Sequence, residues 1–199
     1  IIKEIEEYRE ERNKKTFCFI GYDTDIGVVR NLGRGGTKEG PNAIRKAMQS
    51  FPIIENVALY DYKNLSVYET EEAQAEYSKK MEKLFEMGIF PIGIGGGHDI
   101  TYASYSAIRN SFPDKKIGII NFDAHLDIRP YGNGRTSGTS FKEILDNDEN
   151  VSYCIVGFQN CGNTKRLIDT AKKYNTLILP EYLEENEIIE EMNSLIEKV

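Results

Sequence analysis

The chain has 199 residues, 40% of them apolar and 29% charged, enough for one sizeable hydrophobic core and ordinary for a globular protein. Its net charge of −7, with acidic residues densest between Glu181 and Glu191, offers no basic patch and argues against nucleic acid or an anionic membrane as partner. No stretch approaches the roughly 18 consecutive apolar residues of a membrane span, and the charged start Ile1-Ile-Lys-Glu-Ile-Glu-Glu7 does not read as a signal peptide, so a cytoplasmic location is expected.

Along the chain, apolar runs of strand length alternate with stretches of helical period. The pattern predicts strands over residues 16–20, 56–60, 89–94, 117–122, 151–156 and 176–179. Gly33-Arg-Gly-Gly36 reads as a flexible turn, and Pro41 after Gly40 predicts a helix start that runs to about Ser50. Further helices are predicted over 71–86, 100–110, 164–173 and 184–198. In the last of these, Ile188, Ile189, Met192, Leu195, Ile196 and Val199 recur at helical spacing, a core face. Several strands are apolar on both faces, which marks a mostly parallel sheet with helices on each side, in a single α/β domain over 1–199. Cys18, Cys154 and Cys161 are odd in number and lack Cys-x-x-Cys spacing, so free thiols are expected, with Cys154 in the core.

In an open α/β sheet, ligands bind beyond the carboxyl ends of the strands. The run 117–122 leads directly into Asp123-Ala-His125-Leu-Asp127, and an extended backbone would turn 123, 125 and 127 to one edge as two carboxylates and an imidazole. The run ending in Gly95-Gly-Gly-His98-Asp99 places the chain's other histidine at a strand end beside a carboxylate. The bland alternative is a pair of hydrogen-bonded structural histidines with turn-capping aspartates. Oxygen-rich ligands with one or two imidazoles suit Mn²⁺ or a similar divalent ion, and such ions acidify water for attack on an electrophilic carbon, so hydrolysis is implied. Phosphate-cradling and cysteine-based chemistry lack their motifs.

These residues resemble the ureohydrolase superfamily of arginase, agmatinase and formimidoylglutamase. Gly95-Gly-Gly-His98-Asp99 is similar to its first ligand motif, Asp123-Ala-His125-Leu-Asp127 to its second, and Gly40-Pro-Asn-Ala-Ile44-Arg45 to a further segment. The resemblance implies a three-layer α/β/α fold, two manganese ions, a small-molecule substrate and assembly from identical chains. It implies that His98 and Asp127 bind one ion and His125 the other, that Asp123 bridges them, and that Asp127 also serves catalysis. The stretches Arg129-Pro-Tyr, Arg135-Thr-Ser137-Gly-Thr-Ser-Phe141 and Gln159-Asn-Cys-Gly-Asn163 are similar to the formimidoylglutamase form.

Arg129, Arg135, Ser137, Gln159 and Asn163 are thereby candidate substrate contacts, and arginines would favour an anionic substrate over cationic agmatine. The implied reaction is N-formimino-L-glutamate plus water giving L-glutamate and formamide, a step of histidine degradation. The alternatives are a guanidine hydrolase that releases urea, and a non-catalytic binding module of the same fold. The family's third metal motif, an Asp-x-Asp pair ending a later strand, has no counterpart before Val199. The C-terminal part, with its last strands and ligands, is therefore expected to come from further along the protein or from another chain.

Overall fold

The computed structural model describes residues 2–9, 14–52, 55–65 and 69–199. They form two compact units, one reaching to Ser111 and including Arg135–Ser137, the other made of Phe112–Gly134 and Gly138–Val199.

The first unit holds β1 (Lys3–Glu4), β2 (Lys15–Tyr22), β3 (Val57–Asp61) and β4 (Phe90–Gly95), with helices α1 (Ile26–Arg30), α2 (Gly40–Met48), α3 (Thr70–Glu86) and α4 (Ile100–Ser111). Its strands pair in parallel in the order β1-β3-β2-β4. Strand periodicity sends Cys18, Ile20 and Tyr22 to one face, where they pack with Ala58 and Tyr60 against Ala73, Tyr77 and Leu84 of α3 and Ala103 and Ala107 of α4. The α3 residues recur at helical spacing, and Glu71 and Glu72 in its first turn complement the helix dipole. Pro41 opens α2, as its fixed φ predicts. Arg45 of α2 forks onto Asp61 at the end of β3, with Nε and Nη2 each 2.7 Å from a carboxylate oxygen, and this bidentate pair pins α2 to the sheet.

The second unit holds β5 (Ile117–Phe122), β6 (Val151–Phe158) and β7 (Leu177–Pro180), parallel in that order, with α5 (Ser140–Asn147), α6 (Lys165–Lys173) and α7 (Glu185–Ile196). Strand β6 is buried on both faces over Tyr153–Val156, which explains the apolar run there. Tyr153 and Ile155 pack with Phe141 of α5 and Ala171 of α6 on one face, while Cys154 and Val156 pack with Leu195 of α7 on the other. Helix, sheet and helix therefore stack in three layers, as the sequence predicts. Thr164 caps α6 through a hydrogen bond from Leu167 N–H, and Glu184 with Glu187 forms a capping box at α7.

Several details depart from the sequence reading, among them the short strand β1, which it does not predict. Only Ile188, Met192 and Leu195 of α7 pack on the sheet, and Ile189 and Ile196 stand exposed, because a helix lying on a sheet presents one stripe. Helices α1 and α5 are additional; each is short, and α5 begins at Ser140 directly after Gly138-Thr139. No helix of the described residues is long and apolar enough to cross a membrane.

Candidate metal centre

In the second unit β5 ends at Phe122, and the chain bends at 124–125 instead of continuing extended. Residues 123, 125 and 127 therefore do not alternate along an extended edge as the sequence predicts: a turn places these side chains, and Asp127 adopts a left-handed φ of 45°. Such a conformation costs of order 1–3 kcal/mol and persists only when its surroundings hold it. Those surroundings come from β6 and the loop after it. Asp123 N–H donates to Val156 O at 3.0 Å, and Gln159 N–H donates to Ala124 O at 3.1 Å. His125 N–H donates to the Asp123 side chain at 2.9 Å, Leu126 N–H to Asn163 Oδ1 at 3.0 Å, and the Tyr153 hydroxyl to Leu126 O at 3.1 Å. Gly157, at a β-bulge with φ 86°, lets β6 turn beneath this segment.

The result is a dense donor set. Carboxylate oxygens of Asp123 and Asp127 lie within 4.8 Å of each other, and Nδ1 of His125 lies 3.6 Å from Asp123 Oδ1. Two carboxylates this close repel, which a divalent cation would relieve. The His125 side chain is 58% exposed, open to a ligand. Oxygens with an imidazole suit a hard or borderline divalent ion, so this side-chain set fits the metal that the motifs imply.

In the first unit, β4 ends at Gly95, and the next amides are stitched to the chain leaving β2: Gly96 N–H donates to Tyr22 O at 2.6 Å and Gly97 N–H to Thr24 O at 3.2 Å. His98 follows, half-buried, just before α4. Asp99 is fully buried and accepts the Tyr22 hydroxyl at 2.5 Å. Burial raises its carboxyl above the usual range, and the Tyr22 bond only partly opposes this. A Cβ at Gly27 or Gly97 would come within 2.4 or 2.1 Å of Asp99 Oδ1, so both glycines make room for this carboxyl. The pairing of Tyr22 with Asp99 is not predicted from the sequence, where its one signal is a hydroxyl at the end of the apolar strand β2.

The candidate substrate contacts divide. Arg129 is exposed, and its backbone N–H donates to Gly138 O. Arg135 packs within the first unit, with Nη1 3.2 Å from Gln74 Oε1 and its guanidinium 4.2 Å from the centre of the Tyr102 ring. Gln74 in turn donates to Asp99 O at 2.9 Å. Ser137 N–H donates to Gly27 O in the same unit. Gln159 and Asn163 lie in the second unit beside the Asp123–Asp127 turn, and both Asn163 amide hydrogens are engaged, with Ala124 O and Gln159 O at 2.8 Å each.

The model of the Arginase family matches residues 15–199. A formimidoylglutamase of Staphylococcus carnosus is 39% identical over 199 residues, covering 98% of this chain and 62% of the relative. One of Geobacillus thermodenitrificans is 43% identical over 162 residues, covering 79% of this chain and 50% of its own. The chain thus spans between half and two thirds of these relatives' lengths. Its fold is similar to a crystal structure of Trypanosoma cruzi formiminoglutamase with Mn²⁺, with a TM-score of 0.77 at 28% identity over 88% of this chain and 63% of that one.

Proposed function

The chain belongs to the Arginase family, and on that premise we propose that it acts as a hydrolase of linear amidines, cleaving N-formimino-L-glutamate with water to L-glutamate and formamide. The observation that carries this reading is the Asp123–Asp127 turn, whose two carboxylates lie within 4.8 Å of each other with the His125 imidazole beside them, Asp127 taking a left-handed φ of 45°. The kinship with relatives named formimidoylglutamase supports the choice of substrate.

His98, Asp123, His125 and Asp127 are the residues proposed to hold two manganese ions, with the remaining ligands contributed by other residues. When bound, the ions supply Lewis acidity, lowering the pKa of water and drawing charge from the amidine. The rest of the chemistry falls to side chains. Asp127 takes one proton as water adds to the formimino carbon and returns it to the glutamate nitrogen, whose bond to that carbon breaks as the added oxygen becomes the formamide carbonyl and the second water proton passes to the imino nitrogen. The substrate's two carboxylates call for cationic donors, and Arg129, exposed just beyond Asp127, is proposed to fork onto one of them.

The test is an assay of the Mn²⁺-supplemented protein with N-formimino-L-glutamate and with agmatine. Formamide and glutamate are expected from the first; urea from the second, with no turnover of the first, would overturn the assignment. Loss of a charge-assisted contact worth about 1.5–3 kcal/mol should raise KM of Arg129→Ala by roughly 10- to 100-fold. An unchanged KM removes Arg129 from the role.

A further inference from the structure

We infer that Asn163 is a positioning residue for His125, clamping the backbone on both sides of the ligand; the inference rests on the metal reading above. Its Oδ1 accepts from Leu126 N–H at 3.0 Å, and its Nδ2 donates to Ala124 O at 2.8 Å. Residues 124 and 126 are the immediate neighbours of His125, so one planar amide fixes the chain before and after the imidazole. The second Nδ2 hydrogen goes to Gln159 O, also at 2.8 Å, which ties the clamp to the end of β6.

The amide orientation follows from the network, since the reverse would set Oδ1 against two carbonyl oxygens. An asparagine has two donors and two acceptor lone pairs. Here both donors and one lone pair serve the backbone, which leaves no N–H for a substrate carboxylate. The resemblance implies a substrate contact for Asn163, but this geometry gives it a different task.

The neighbouring residue adds a second constraint. A Cβ at Gly162 would lie 3.1 Å from His125 Nε2 and 3.2 Å from its Cδ2, so the glycine backbone forms a close wall beside the ring. Beneath, Leu126 is fully buried and its carbonyl is held by Tyr153. The loop 159–163 therefore sets both the position of the His125 backbone, through Asn163, and the space open to its ring, through Gly162. Groups that orient a metal ligand in this way are worth about 10- to 100-fold in affinity.

Three variants of the whole protein test the clamp: Asn163→Ala, Gly162→Ala and, as a control for lost stability, Leu195→Ala in the core on the opposite face of the sheet. Mn²⁺ affinity is read from the paramagnetic resonance signal of free Mn²⁺, and Leu126 amide exchange is followed in metal-free protein. Asn163→Ala should weaken Mn²⁺ by about 10- to 100-fold and speed Leu126 exchange. Gly162→Ala should weaken Mn²⁺ with Leu126 protection retained, and Leu195→Ala should leave affinity unchanged. Wild-type affinity in Asn163→Ala, unchanged Leu126 exchange there, or an equal affinity loss in Leu195→Ala overturns the inference. If the parent protein takes up no Mn²⁺, the functional reading fails instead, and Leu126 exchange alone then decides whether the clamp exists.

Discussion

The Tyr153 hydroxyl offers a measurable test of how the Asp123–Asp127 turn is supported. The ring is buried and stacks on Phe141 with centroids 4.3 Å apart, so Tyr153→Phe keeps the packing and removes one oxygen. That oxygen accepts from Asn121 Nδ2 at 3.1 Å and donates to Leu126 O at 3.1 Å. Burial raises the phenol pKa above its ordinary value, so the hydroxyl stays protonated and able to donate. Its loss strands two buried polar groups at about 1–3 kcal/mol each, and partial relaxation leaves about 2–4 kcal/mol. Against a total stability of about 5–15 kcal/mol this is a large fraction. With a urea dependence of about 1–3 kcal/mol per molar, the unfolding midpoint should fall by about 1–2 M. Adding Asn121→Leu to Tyr153→Phe should cost less than the sum of the single changes, because each group's missing partner is then counted once. A Tyr153→Phe unfolding free energy within about 0.5 kcal/mol of the parent would show that this hydroxyl does not support the turn.

Other outcomes can be checked directly. Burial raises the Asp146 carboxyl, but hydrogen bonds from Lys142 and Tyr174 outweigh it, and the net pKa lies below the ordinary 3.8. A depressed carboxyl contributes stability above its unfolded pKa and loses it as pH falls through the folded value, so Asp146→Asn should cost about 0.5 kcal/mol at neutral pH and nothing in strong acid. Equal loss at both extremes of a thermal-unfolding pH series would contradict this. Burial raises the Cys18 and Cys154 thiols to about 12 and about 11, whereas Cys161 is exposed. A thiol reagent should therefore label Cys161 rapidly in the folded protein and the other two only after unfolding, as peptide mapping would report. Ile155 is fully buried between helices α5 and α6, and Ile155→Ala should cost about 2–5 kcal/mol by chemical denaturation; a loss below about 1 kcal/mol would show a core that collapses around the void.

The apolar runs at 117–122 and 151–156 specify parallel strands because period is a local property, and the structure places β5 and β6 there, with β6 largely buried and β5 leaving Phe122 exposed. Pro41 likewise marks the start of α2 from its own ring geometry. The two candidate ligand motifs stand out for a related reason: histidine and aspartate directly beyond such strands fall where an open sheet exposes its ends. What the sequence could not determine is how residues 123–127 are held. Alternation predicts an extended edge, but Leu126 N–H is taken by Asn163, 37 residues away, and Leu126 O by Tyr153, 27 residues away. The same limit applies to Arg135, whose cationic chemistry suggests a carboxylate contact while Gln74 and Tyr102 engage it within the first unit. Residue type and spacing report what a side chain is able to bind; which partner it meets depends on long-range hydrogen bonds that close only when the strands have paired.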